Sequence, residues 1–354
     1  MRTVIVASTR PYSGKSGVCL ALIRELSDRG EAVGYFKPFG TMPVTVDGTL
    51  TDADAAYINS TLRQPAPRAD VCPMVRTRSM IDDVTEGRAG NVPERVREAF
   101  DRCAADRDVM VVEGPSDVFE GRAVQLSACQ LSDLLEARVL LIDKPERADL
   151  PDGVLGALDC LGERLGGVLY NWVRESDIGF FRDHVAPFLG SCGVRVFGVL
   201  PQDPLLSSVR VTEIAEDLGA TVLSAEDRLE EHVETFMVGA MGQDKALRFF
   251  RRRGRKAVIT GGDRADVQLA ALETSTRCLI LTGNLPPSPL VLARAEDLGV
   301  PMLLVDMDTL AAVERMERLM GRARLRDPEK AGRIRRMLLE GTPFEEMLSE
   351  LTRP

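Results

Sequence analysis

Short runs that are apolar at nearly every position, separated by segments of helical spacing, constrain this chain more than any other feature. In the N-terminal part they are TVIVA (3–7), AVGYFKP (32–38), VMVVEG (109–114), RVLLID (138–143), GGVLYN (166–171) and VRVFGVLP (194–201). A strand without polar alternation must be buried on both faces. Parallel strands meet that requirement, because each parallel connection needs a crossover, usually a helix, that covers a face. Helices are predicted at 16–29, 51–63, 92–105, 129–136, 151–164 and 178–190. A second series follows SAEDRLEE. Its strands are VETFMVG (233–239), KAVIT (256–260), CLILTG (278–283) and PMLLVD (301–306), with helices near 243–253, 264–275, 288–299 and 308–320. The expected class is α/β: a mostly parallel sheet covered by helices over residues 1–222, then a smaller α/β domain over 223–323. A charged helical tail, 324–354, is broken by Gly341 and Pro343.

Lys and Arg number 45 and Asp and Glu 54, a net charge of −9. Duplex binding usually needs a basic excess, so nucleic acid is not an expected partner. The basic run FFRRRGRK (249–256) reads as a solvated helix end. Seven cysteines are scattered without a C-x-x-C pair, and only two histidines are present, so no zinc site of ordinary spacing can be written. The cysteines read as reduced thiols of a cytoplasmic, soluble protein. There is no signal-peptide pattern and no apolar stretch near the ~18 residues of a membrane span.

The first apolar run leads into STRPYSGKSG and then into a helix. A helix N-terminus behind a buried strand offers free backbone N–H groups and partial positive charge, which is an anion site. Gly14 lets the backbone approach a phosphate, Lys15 supplies a charge for β- and γ-phosphates, and Ser16 offers a hydroxyl to Mg²⁺. Thr9 stands where the usual G-x-x-x-x-G-K-[ST] pattern has its first glycine. ATP and Mg²⁺ are therefore the expected ligands. Magnesium needs further oxygens. Glu113 ends a strand on the same sheet edge, and Asp52 and Asp54 lie in TLTDADAAYI, where helix capping is the other reading. Lys37 also ends a strand there, turned by Pro38, and suits an anionic co-substrate or a phosphoryl group in transfer.

ASTRPYSGKS, YFKPFG, DADAA, MVVEG, SDLL and GVLYNWV together resemble dethiobiotin synthetase and its relatives, the cobyrinate synthetases and the N-terminal region of long bacterial phosphotransacetylases. The spacing from Ser8-Thr9 to Ser13-Gly14-Lys15-Ser16 is that family's. The resemblance implies a P-loop formed by Thr9, Ser13, Gly14, Lys15, Ser16 and Gly17, and a substrate-side Lys37. It further implies metal ligands Ser16, Asp54 and Glu113, an adenine-contacting Asn171 and, by analogy, a homodimer. Where dethiobiotin synthetase continues its E-G with A-G-G, this chain reads EGPSDVFEG, which argues against biotin-precursor chemistry. No residues resemble an acetyltransferase domain. AVITGGDRADVQLAALETSTRCLILTGNLPPS resembles a DRTGG domain, in which Gly261, Gly262, Asp263 and Arg264 could hold a regulatory anion or nucleotide, or simply form a tight strand–helix turn. Two functions stay open: an enzyme that hydrolyses ATP or passes its phosphoryl group to a small acid, and a non-catalytic nucleotide-binding regulator.

Overall fold

The structure is a computed structural model that describes residues 1–146, 150–239, 241, 243–321 and 327–353. Two compact units separate by internal packing. One comprises Met1–Gln202 with the described C-terminal residues 327–353, and the other begins at Asp203.

The first unit is built on six strands: β1 (Arg2–Ser8), β2 (Val33–Phe36), β3 (Val109–Glu113), β4 (Arg138–Asp143), β5 (Leu165–Val173) and β6 (Val196–Pro201). All pair parallel, in the order β6-β5-β4-β1-β3-β2. Val4, Ile5, Val6 and Ala7 of β1 and Val109 to Val112 of β3 are fully buried, as their unbroken apolar character requires. From β1 the chain crosses to β2 at the sheet edge, returns to β3 beside β1, and then winds outward through β4, β5 and β6 on the other side. The carboxyl end of β1 is thus the point where strand order reverses, which opens a crevice for ligands. Helix α1 (Lys15–Asp28) leaves that point.

The expected helix 51–63 begins later, as α2 (Ala53–Ser60). Before it runs a hairpin that the sequence reading passed over, Pro43–Val46 paired with Thr49–Asp52. Its turn is Asp47-Gly48, with φ of 48° and 75°, the Asp-Gly signature of a two-residue hairpin loop.

The C-terminal segment forms helices Pro328–Gly341 and Phe344–Leu351, broken where Gly341 and Pro343 stand. Rather than forming a body of its own, it belongs to the first unit. Arg335 pairs with Glu25 and Asp28 of α1 at 2.7 Å, and Arg138 pairs with Glu350 at 2.6 Å. Gly198 faces Gly341 so closely that a Cβ on it would lie 2.4 Å from the Gly341 carbonyl.

The second unit carries β7 (Thr221–Ser224), β8 (Thr235–Val238), β9 (Lys256–Gly261), β10 (Thr276–Thr282) and β11 (Met302–Leu304), in the order β7-β11-β10-β9-β8. Within this five-stranded sheet the β7–β11 pairing is antiparallel and the others are parallel; Val209–Arg210 and His232–Val233 form a separate antiparallel pair. The unit starts some twenty residues before the expected boundary at 222/223, and the reason is packing. Val211, Ile214 and Leu218 of the helix before β7 lie in one buried cluster with Ile259, Ile280 and Leu303. The expected boundary at 323/324 lies outside the described residues.

The cysteine reading needs correction. Cys129 and Cys160 are disulfide-bonded, 6.1 Å apart at Cα, and the remaining five are free. Helices Ala128–Leu134 and Asp152–Leu161 bring the pair together across a separation that spacing rules do not detect. Among the described residues no helix is long and apolar enough to cross a membrane.

Candidate nucleotide and metal site

The loop between β1 and α1 ends at Gly14, whose φ of 94° lies in the left-handed region. A Cβ there would also approach Asn171 Nδ2 to 2.5 Å, so two independent constraints require glycine. Asn171 is buried at the end of β5, and its amide donates to the Ser13 carbonyl at 2.9 Å. It thereby fixes the loop from below. The Ser13 hydroxyl donates to the Arg10 carbonyl at 2.7 Å, and Thr9 Oγ1 donates to Asp143. No side chain caps α1, and its first turn holds no acidic residue. The opening amides of Lys15, Ser16 and Gly17 have no carbonyl partner inside the helix.

Lys15 folds back into the crevice. Its ammonium donates to Ser8 Oγ at 2.7 Å and to the Ser116 carbonyl at 2.8 Å. Burial brings its pKa down to about 8, against the opposing pull of Glu113. Ser116 belongs to the EGPSDVFEG stretch. That loop is held by Glu120, which accepts the Ser116 amide at 2.6 Å and pairs with Arg76 at 2.7 Å.

Beside Lys15 an acidic cluster converges from three elements. The Ser16 hydroxyl lies 2.9 Å from Glu113 Oε1 and 3.0 Å from Asp54 Oδ2. Tyr35, buried on β2, donates its hydroxyl to Glu113 Oε2 at 2.8 Å. The Lys37 ammonium lies 2.9 Å from Asp52 Oδ1 and 3.1 Å from Glu113 Oε1. Burial works against the Lys37 charge, but Glu113, Asp54 and Asp52 outweigh it and hold the ammonium above its ordinary value. Burial, with Glu113 and Asp52 nearby, pushes the Asp54 carboxyl up.

The two aspartates have separate roles. Asp52 accepts the amides of Asp54 and Ala55 and so caps α2; its second oxygen accepts the amides of Thr41 and Met42. Asp54 alone faces Ser16. Among the described residues no three His, Cys, Asp or Glu side chains are gathered to hold an ion unaided. The hydroxyl of Ser16 with the carboxylates of Asp54 and Glu113 is a hard-oxygen set. It fits a Mg²⁺ that takes its other ligands from phosphates and water.

Sequence reasoning cited Ser8 only in the loop's spacing and missed that it accepts from Lys15; it missed Tyr35, Ser116 and Asp143 altogether. The last three are ordinary residue types, and only the fold brings them to the loop. Lys144 and Trp172 were also missed; the ammonium stands 4.3 Å from the indole centroid beside the same sheet edge.

In the second unit, Gly261, Gly262, Asp263 and Arg264 turn the chain from β9 into helix Ala265–Leu272. A Cβ on Gly262 would strike the Leu285 carbonyl at 1.6 Å, so this glycine is demanded by backbone packing. Gln268 donates to the Gly261 and Gly262 carbonyls at 2.9 and 3.0 Å, and Arg264 pairs with Asp266 at 3.2 Å.

An AAA domain matches residues 2–210 and a DRTGG domain residues 213–319. The phosphate acetyltransferase of Pseudomonas aeruginosa is 25% identical over 98% of this chain and 51% of its own. That of Pseudomonas putida is 26% identical over 94% and 49%. The chain therefore spans about half the length of these curated relatives. Among solved structures, the CBS and DRTGG domains of the regulatory region of Clostridium perfringens pyrophosphatase, complexed with the activator diadenosine tetraphosphate, align at 18% identity. That alignment covers 40% of this chain and 69% of the other, with a TM-score of 0.29. By its loop, its parallel sheet and the match over more than half its length, this chain belongs to the AAA-domain family, with a DRTGG domain following.

Proposed function

We propose that the first unit binds ATP with Mg²⁺ and either hydrolyses it or passes the phosphoryl group to a small acid. One observation carries this reading: Lys15, Ser16, Asp54 and Glu113, drawn from α1, α2 and β3, meet at the uncapped start of α1. The opening amides of α1 would hold the phosphates, and Asn171 would keep the loop in shape for the nucleotide. Lys15 would leave the Ser116 carbonyl for the β- and γ-phosphates and offset charge on the transferring group. Magnesium, when bound by Ser16, Asp54 and Glu113, would neutralise phosphate charge.

A specific observation favours the regulatory reading. Lys37, expected to steer an acceptor, is spent on Asp52 and Glu113. In that reading the first unit senses nucleotide, and the turn at Gly261–Arg264 reads a small anionic ligand. Within either reading we place the protein in the cytoplasm as a homodimer; the Cys129–Cys160 bond is the feature that pulls against a reducing compartment.

Phosphate release from Mg-ATP by the full chain, compared with Lys15→Ala, separates the two. Turnover that vanishes in the variant supports the enzyme. Turnover equal in both, with nucleotide binding lost in the variant, leaves the regulator.

A further inference from the structure

The basic run Arg251–Lys256 does not behave as one solvated helix end. Arg252 stacks over Phe249 at 5.9 Å, and Arg255 pairs with Glu234 at 3.3 Å. Lys256 turns inward. It is the first residue of β9 and is fully buried, and its ammonium donates to Thr274 Oγ1 at 2.9 Å. Among the described residues Thr274 is its one side-chain partner, and no carboxylate pairs with it. Burial lowers its pKa to about 8, so it stays largely charged at neutral pH. A buried ammonium without a counter-ion is costly, and proteins commonly neutralise such charges by pairing.

Thr274 also borders a wide-open surface cavity of about 680 Å³ at the amino end of the second sheet, with the exposed side chains of Arg251, Glu273, Ser275 and Arg294 around it. Arg251 follows helix Gln243–Phe250, and Arg294 sits on helix Pro289–Leu298, so two cations from separate elements face one space. Both arginines are solvent-exposed, and among the described residues neither guanidinium pairs with a carboxylate. The cavity stands apart from the Gly261–Arg264 turn, which closes the opposite end of β9.

We propose that this cavity binds a phosphate-bearing small molecule: Arg251 and Arg294 grip the phosphate, Ser275 donates its hydroxyl, and Lys256 adds positive potential from behind Thr274. The chemistry favours phosphate over carboxylate. A phosphoryl group offers three acceptor oxygens and close to two charges, enough for two planar guanidinium forks and a hydroxyl together. The single acid in the wall, Glu273, leaves the balance positive.

The test uses the 354-residue chain carrying Lys15→Ala, so that the first unit's loop does not contribute, titrated calorimetrically with pyrophosphate at constant ionic strength. One equivalent is expected to bind. Arg251→Ala and Arg294→Ala should each weaken it about tenfold, the change that ~1.4 kcal/mol makes. Lys256→Met, which fills the same volume without charge, should weaken it severalfold while the protein still melts cooperatively. Absence of binding to Lys15→Ala protein overturns the proposal, as does affinity unchanged by both arginine variants, or citrate binding as tightly as pyrophosphate. A wild-type chain that binds only at this cavity would instead overturn the reading of the loop at Lys15.

Discussion

Replacing Lys37 with Met tests the electrostatics of the whole crevice. Lys37, Asp52 and Glu113 have side-chain exposures of 6%, 0% and 3%. Removing the ammonium leaves Asp52, Asp54 and Glu113 facing one another out of water. Breaking a buried pair by deleting one partner costs about 3–5 kcal/mol. At roughly 2–4 °C per kcal/mol for a body of this size, the first unit should melt about 10 °C lower. Trp172, the single tryptophan, lies in this unit, so its fluorescence follows the transition selectively. The pH dependence should invert. In the native protein burial opposes the Asp52 charge, but Lys37 holds the carboxyl below its ordinary value. That stabilisation is present above the unfolded pKa and fades as pH falls through the folded one. In the variant the crowded carboxyls rise above their unfolded values. The folded state then binds more protons, and stability recovers on acidification from neutral pH towards about 4. Mg²⁺ should also raise the variant's melting temperature more than the native one, by restoring positive charge. A variant that melts within about 1 °C of the native protein, with the same pH profile, would refute the cage.

Three further outcomes are expected. Lys15, at about 8 in the free protein, should regain its proton against a triphosphate; binding at pH 8 should take up ~0.5 proton and at pH 6.5 almost none, read from calorimetry in two buffers of different ionisation enthalpy. Gly14→Ala should cost ~1–3 kcal/mol through its φ of 94° and abolish nucleotide retention in equilibrium dialysis, because the methyl displaces Asn171. Reducing Cys129–Cys160 should lower the stability of the first unit by about 3–4 kcal/mol, the chain-entropy value for their separation of 31, measured by urea unfolding with and without dithiothreitol. An intact mass showing seven free thiols in freshly purified protein would contradict that bond.

Much of the architecture was legible because burial on both faces leaves a one-dimensional trace. Val4 to Ala7 and Val109 to Val112 are apolar without interruption, and that pattern suits a parallel sheet. The phosphate loop was legible for a similar reason. Gly14, Lys15 and Ser16 act through backbone shape and helix position, and both are local.

Asp52 and Asp54 could not be sorted by sequence, since both suit the start of a helix. The hairpin before α2 turns Asp52 onto four backbone amides and Lys37, and leaves Asp54 to meet Ser16. Tyr35, Ser116 and Asp143 were invisible because nothing in their neighbours marks them. The pairing of Cys129 with Cys160 was missed because it depends on two helices meeting.

The sequence by itself determined the class of fold, the loop and the kinds of ligand that loop can hold, because those follow from periodicity and from contacts between near neighbours in the chain. Tertiary structure alone decided which carboxylate faces the hydroxyl, that Lys37 is neutralised, that the C-terminal helices close the first unit, and that Lys256 is buried with no carboxylate beside it among the described residues. Each of these depends on groups tens to hundreds of residues apart meeting where water is excluded, and no local pattern encodes such a meeting.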